Sequence, residues 1–465
     1  VTTTEGTKDE GMMVGMLRRV VDVRPGEIRA MLASAVFFFF LLSSYFVMRP
    51  IRDAVAAASG VNEIPRLFLG TLAVTLICNP LFSWLVVRFP VRRVIPISYQ
   101  FFVVSFLVFY AVLRFVSSGE GSTLDVWMGR TFFVWVTVFA LFNTSIFWCL
   151  MADAFSSEQA KRLFGFIGVG GTLGSITGSA ATAVLAPTIG AVNVLLVSAV
   201  LLELAIITIV RFPPTVQHAG PSKREDDRSS EIIGGSVWSG FTHIMKSPYL
   251  LGICLFMFFY VFGSTILYFS QSELVGKLYA DRTARTAVLA QMEFAAQVLT
   301  IVTQIFFTGR IIRWLGLAMA LAVLPAVSVI GFGALGAMAT FPALAVFTVL
   351  RRATNFAIMN PAMEVLFTVV RREDKYKAKN VIETFVYRGG DQLSGWAYAG
   401  LAAVGLSLAG ISFIAVPLSA LWLALGLWLG RKQAQLAAGV AAAQQPVVND
   451  PRAGSTFPQP SRQPT

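Results

Sequence analysis

Runs of about 20 apolar residues recur along the whole chain, beginning with MLASAVFFFFLLSSYFVM at residues 31–48. A helix of that length spans roughly 30 Å of hydrocarbon. Lipid offers backbone groups no hydrogen-bond partner, so only helices and closed barrels cross it, and these runs are far too long for barrel strands. Counting at this length predicts twelve spans: near 29–49, 66–87, 94–116, 127–150, 163–186 and 190–211, then near 248–269, 287–308, 314–337, 342–369, 383–405 and 409–430. The fold class expected is all-α and integral to the membrane, with twelve transmembrane helices in two six-helix halves. With 56% hydrophobic and 13% charged residues and a mean hydropathy of +0.70, lipid is the solvent for most of the chain.

Five segments follow from that count. Residues 1–28 read as a cytoplasmic leader, because VTTTEGTKDEGMMVGMLRRVVDVRPGE lacks the apolar core and small-residue cleavage site of a signal peptide. Residues 29–211 form the first half and 248–430 the second. Between them, 212–247 is a polar cytoplasmic loop in which Ile232, Ile233, Val237, Trp238, Phe241, Ile244 and Met245 recur at helical spacing, predicting an amphipathic interfacial helix. His243 reads there as an interface residue. Residues 431–465, rich in Ala, Gln and Pro, are expected to be a disordered cytoplasmic tail.

Cytoplasmic loops retain Lys and Arg. With both termini inside, 26 basic residues fall in inner segments and 8 in outer ones, and Arg351, Arg352 and Arg388 within spans complete the 37. The net charge of +12 is therefore a topology signal, and no nucleic-acid partner is expected. Cys78, Cys149 and Cys254 are odd in number and scattered through apolar runs, so neither a disulfide framework nor a metal site is indicated. No metal, cofactor or catalytic domain is expected: the chain lacks a Gly-x-x-x-x-Gly-Lys-Ser/Thr phosphate loop, a spaced His cluster and a nucleophile-elbow serine. A monomer in a cell inner membrane is the expected state.

The halves echo one another. Ala160-Lys161 and Ala378-Lys379 stand 218 positions apart, and the pairs Gly170-Gly171 and Gly389-Gly390 stand 219 apart. Arg92 and Arg93, shifted equally, fall between Arg310 and Arg313. A parallel duplication around a midplane site is how many secondary transporters are built. In span count, central loop and basic inner loops, the chain resembles the major facilitator superfamily.

Charges inside spans carry most information, since each costs about 2.5 to 3.5 kcal/mol at a helix centre unless it faces water or a partner. Arg351 and Arg352 sit roughly 14 Å into the tenth span at 1.5 Å per residue. Neighbours on a helix point about 100° apart, so lining a cavity and pairing with Glu293 or Glu364 are both open to them. Glu293 could carry a coupling proton or neutralise an arginine, whereas Glu203 reads as structural. Glu383, Arg388 and Asp391 at the start of helix eleven permit local pairing as an inner-gate salt bridge. In SSYFVMRPIRDAV, Arg49, Arg52 and Asp53 fall at the outer end of helix one, either snorkelling to the interface or facing an anion. Gly170, Gly174 and Gly178 repeat every four residues on one face of helix five, a close-packing surface expected to lie where the halves move.

Three stretches, MRPIRDAVAAASGVNEIPRLF, FWCLMADAFSSEQAKRLFGFIG and RATNFAIMNPAMEVLFTVVRREDKYKAKNVIETFVYRGGDQLSG, resemble the ATP/ADP translocases of plastid and bacterial type. Those are nucleotide exchangers related to the facilitator superfamily. Their Leu-Arg-x-x-Lys-Asp pattern is matched by Arg49, Arg52 and Asp53, and their Glu-Ala-Lys-Arg-Phe by Gln159-Ala160-Lys161-Arg162-Leu163. Where the family has Lys-Tyr and Asp-Pro-Thr-Lys-Glu-Met, this chain has Asn355-Phe356 and Asn360-Pro361-Ala362-Met363-Glu364-Val365. Asp391 stands where the family carries a lysine. Polyphosphate favours forked arginines, so the resemblance implies ancestry more firmly than substrate.

The reading is a non-enzymatic secondary transporter of a small organic anion, working by alternating access, with nucleotide exchange as the form the resemblance implies. Arg49, Arg52, Arg351, Arg352 and Arg388 are the candidate substrate residues. Asp53, Asp153, Lys161, Arg162, Glu293, Glu364, Lys379 and Asp391 are the candidates for coupling or gating. A proton-coupled carrier or exporter using Glu293, and a membrane scaffold or sensor that does not transport, are the alternatives.

Overall fold

The protein is described by a computed structural model covering residues 24, 27–88, 91–117, 119–155, 157–212, 247–370, 382 and 386–444. Among these residues it contains twelve helical elements and no strand. The first half comprises α1 (Ile28–Ser59), α2 (Ile64–Arg88), α3 (Val91–Ala111, with a π turn Val112–Val116), α4 (Thr123–Ala154), α5 (Ser157–Ile189) and α6 (Val194–Val210). The second begins with α7 (Pro248–Leu278) and α8 (Arg282–Thr303), which runs through a π turn (Gln304–Thr308) into α9 (Gly309–Ala337). The break between these two spans is at Gly316, whose φ of 77° needs a residue without Cβ. Next, α10 is assembled from Phe341–Thr354, a π turn Asn355–Met359, Asn360–Leu366 and a 3₁₀ turn Phe367–Val369. The last described helices are α11 (Tyr387–Ala403) and α12 (Leu408–Gln444).

Among the described residues, eight helices are long and apolar enough to cross a membrane. The apolar parts of α2 (Ile64–Cys78) and α6 are shorter, while α10 and α11 carry the charges that lower their hydropathy. Each half has its own core: one cluster holds Phe37, Phe38, Phe106, Phe139 and Phe147, with Phe38 and Phe147 stacked at 4.0 Å. Another gathers Phe256, Met257, Leu321, Met359 and Trp422. A third, with Leu67 and Phe133 beside Phe269, Phe332 and Tyr398, joins the halves.

Three expectations are corrected. Helix one does not end near residue 49, because α1 continues to Ser59 and Arg49, Arg52 and Asp53 lie within it. Their charges are paired inside the bundle, so the helix has no need to end where hydropathy falls. Nor are residues 431–465 wholly irregular, since α12 runs on to Gln444. The segment QAQLAAGVAAAQ is rich in strong helix formers and extends a helix already nucleated, which removes the cost of the first turn. Lastly, Gly170, Gly174 and Gly178 pack within one half. A Cβ on each would strike the carbonyl oxygens of Ala35, Phe39 and Ser43 in α1. Ser43 donates to the Gly174 carbonyl at 3.1 Å and Thr182 to that of Val47 at 3.1 Å, bonds that only such close backbones allow. The expected amphipathic helix at 232–245, Glu383 and Lys379 fall outside the described residues.

Candidate functional site

A cavity of about 320 Å³ lies between the halves. From the first half it is lined by Arg49 and Arg52 of α1, Phe68 and Thr71 of α2, and Phe133 and Thr137 of α4. From the second come Tyr260, Thr265, Tyr268 and Gln271 of α7, Arg351, Arg352 and Asn355 of α10, and Arg388, Asp391 and Gln392 of α11. All five arginines expected to meet substrate therefore border one space. The π turn of α10 begins at Asn355, three residues after Arg352, an interruption of the kind helices often show at functional positions.

On the side of α1, α8 and α10, two carboxylates organise three arginines. Asp53 is 2.7 Å from Arg52 and 4.0 Å from Arg49, and accepts from the Tyr268 hydroxyl at 3.2 Å, so it is tied to α7 of the other half. Glu293 of α8 lies 3.2 Å from Arg49 and also binds Arg352. Gln297 donates to it at 3.0 Å and accepts in turn from Ser175 of α5 at 3.1 Å. Glu293 is only 2% exposed, so it backs the arginines from outside the cavity.

Arg351 has no carboxylate within ion-pair distance among the described residues. It donates to Ser264 Oγ at 2.7 Å, Ser328 Oγ at 3.3 Å and the Tyr260 carbonyl at 3.0 Å, with its guanidinium over the rings of Tyr260 and Trp422. The cation is thus desolvated but not neutralised. Arg388 makes no hydrogen bond or ion pair among the described residues, and the expected bridge from Arg388 to Asp391 is not formed. Asp391 instead accepts from Thr265 at 3.0 Å. Both residues face the cavity.

One end of the bundle is tied shut. Arg282, at the start of α8, reaches both oxygens of Asp125, at the start of α4, at 2.6 Å. Arg285 binds Glu120 and is steadied by the carbonyls of Tyr279 and Ala280. Gly276 of α7 presses on the Ala57 carbonyl of α1, and Gln392 donates to the Pro65 carbonyl at 3.2 Å. Cross-half hydrogen bonds and ion pairs among the described residues all lie between the middle of the bundle and this end. The pairs went unrecognised in the sequence, where Arg282 and Arg285 counted only as loop charges. The available signal was two acids just ahead of the predicted fourth span and two arginines just ahead of the predicted eighth, on the same predicted side.

The remaining candidates sit elsewhere. Arg162 binds Glu27 through both oxygens at 3.0 and 3.2 Å, and Gln159 adds a bond at 2.9 Å, which staples the start of α5 to that of α1. Burial raises the Glu27 pKa, but these donors and the Arg24 amide outweigh it, leaving the carboxyl below its usual range. Because Glu27 and Arg162 share one half, this pair is no bridge between halves. Glu364 is exposed, away from the cavity lining. Asp153 and Lys161 lie on α4 and α5 respectively, and their side chains are outside the described residues.

Known proteins share this architecture. A variant of the nucleoside transporter NupG aligns with 88% of this chain and 99% of its own, at a TM-score of 0.53 and 11% identity. A bacterial homologue of the iron transporter ferroportin, in an inward-facing state, aligns with 88% and 99% at 0.57 and 13% identity. A POT family transporter in complex with a thioalcohol-conjugated peptide aligns with 88% and 96% at 0.57 and 10% identity. At these identities the likeness is one of fold. In sequence, ADP,ATP carrier protein 2 of Chlamydia pneumoniae is 24% identical over 232 residues, 44% of this chain and 43% of that protein's length. The profile of the Major Facilitator Superfamily matches residues 29–390, most of the membrane part. The chain is a multi-pass membrane transporter and belongs to the Major Facilitator Superfamily.

Proposed function

We propose that the protein is a secondary active carrier of an organic anion that works by alternating access, with the two halves rocking about the cavity. The observation that carries this reading is the cavity wall, where five arginines converge and Arg351 and Arg388 have no carboxylate partner among the described residues. A guanidinium without a counter-ion is costly inside a membrane, and a bound anion removes that cost. Nucleotide exchange is the specific form that the similarity to an ADP,ATP carrier supports. With both termini cytoplasmic, the closed end faces outward and the cavity is reached from the cytoplasm. A proton-coupled carrier built on Glu293 has less support, because that carboxylate is engaged by two guanidiniums and an amide.

The test is thermal stabilisation of purified protein by anions, since a ligand that binds only the folded state raises its melting temperature. Organic phosphates, nucleotides or carboxylates are expected to stabilise it, and their neutral analogues are not. Equal stabilisation by a nucleotide and its nucleoside contradicts the anion reading. Uptake of labelled ATP into proteoliposomes preloaded with ADP tests the nucleotide form, which fails if folded protein gives no exchange.

A further inference from the structure

We infer that the charge balance of the cavity matches it to an organic dianion. This rests on the anion-carrier reading above and goes further by setting the charge of the cargo. Guanidiniums remain protonated at any physiological pH. Among the described residues five line the cavity with three carboxylates at hand: Asp53 and Glu293, which pair with Arg49, Arg52 and Arg352, and Asp391, which shares the lining without an ion pair. Among the described residues, five against three leaves an excess of two positive charges.

The excess is divided. In the group joining α1, α8 and α10, Arg49, Arg52 and Arg352 face Asp53 and Glu293, leaving one charge. In the group of α10 and α11, Arg351 and Arg388 share the cavity wall with Asp391, leaving another. An alternating carrier must close over its cargo on both sides, and any net charge then sits in low dielectric without water, where it is expensive. A dianion brings the closed cavity to neutrality. A monoanion leaves one positive charge, and a nucleoside di- or triphosphate overfills the site with negative charge.

The shared chemistry of a phosphate monoester and a dicarboxylate is two negative charges, and the test separates them. Purified full-length protein is titrated with AMP, ADP and ATP in EDTA at pH 7.5, where a phosphate monoester carries close to two charges. Glycerol 3-phosphate, succinate and lactate are titrated in parallel, and apparent affinities are read from ligand-induced melting shifts. The expected order places AMP above ADP and ATP by about tenfold or more, and at least one of glycerol 3-phosphate and succinate above lactate by a similar factor. Whichever of those two binds more tightly identifies the source of the charge.

Two variants on adjacent turns of α11 move the balance in opposite directions. Asp391→Asn raises the excess to three and is expected to move the preference toward ADP, whereas Arg388→Gln lowers it to one and moves it toward lactate. A purely structural defect would weaken every ligand alike. If ADP or ATP binds the wild type more tightly than AMP, or if neither variant reorders the series, charge matching is overturned while anion transport stands. If no anion stabilises the wild type, the proposed function fails first and this inference with it.

Discussion

Breaking the ion pairs at the closed end should shift the protein toward the opposite-facing state. Asp125 and Arg282 have side-chain exposures of 6% and 15%, so water screens them little. A hydrogen bond to a charged group contributes roughly 1.5 to 3 kcal/mol, and Asn at position 125 keeps a weaker neutral bond, so Asp125→Asn should lose about 1.5 to 2. Glu120 is 38% exposed, which holds Glu120→Gln to about 1 kcal/mol or less. Together the two substitutions remove about 2 to 3 kcal/mol from the state closed at this end. At tenfold per 1.4 kcal/mol, the ratio of the two states moves roughly 30- to 140-fold.

Thr71 suits the readout, because it lines the cavity and its hydroxyl bonds only the Leu67 carbonyl of its own helix. A Thr71→Cys reporter, in a chain whose Cys78, Cys149 and Cys254 are replaced by Ala, is exposed to an impermeant maleimide from the side of the α3–α4 loop. Labelling should be slow in the parent and at least about tenfold faster in the double variant. Exchanging the charges, Asp125→Arg with Arg282→Asp, should return it toward the slow rate. An unchanged rate in folded double variant refutes the idea that these pairs hold the end closed.

Arg388→Gln should lower dianion affinity about tenfold or more while leaving the melting temperature of the empty protein within a degree or two, because Arg388 holds no structural bond among the described residues; a matched loss of stability would show that it braces the fold. Gly174→Val should destabilise the first half by about 1 to 3 kcal/mol or more, as its side chain is driven into the Phe39 carbonyl, and an unchanged melting temperature would mean that α1 and α5 are not in backbone contact. The Glu27 carboxyl titrates below its ordinary value of 4.5, so the stabilisation it provides is fully present above that pH and is lost as pH falls through the lowered pKa. Melting temperature measured from pH 6 down to pH 3 should fall less steeply in Glu27→Gln, and identical slopes would rule the staple out.

Much of the fold was legible because lipid imposes one strict length rule, and runs of some 20 apolar residues satisfy it repeatedly. That same rule hid the true end of α1, since it stops at charge: Asp53 pairs with Arg52 and Arg49 of its own helix, but the groups that complete the cluster, Glu293 on Arg49 and the Tyr268 hydroxyl on Asp53, come from the other half. The arginines were legible for the converse reason: a guanidinium in a span must have a cavity or a partner. Which of the two it has is a non-local fact. Arg351 and Arg352 are neighbours, yet one is wrapped by serines and aromatic rings and the other is held by Glu293. The glycine repeat of α5 announced close packing but not its partner, because a four-residue spacing fixes a face of the helix and leaves the direction of that face open.

Flux decides whether the arginines carry an anion. Proteoliposomes loaded with unlabelled glycerol 3-phosphate or AMP are diluted into the labelled compound, and uptake is followed for wild type and for Arg351→Gln and Arg388→Gln. Saturable uptake by the wild type, inhibited by excess unlabelled anion, indifferent to neutral nucleoside and reduced about tenfold or more in both variants, is the expected result. Uptake that persists undiminished in both variants, or equal uptake of the uncharged nucleoside, would show that the arginine cavity is not the binding site.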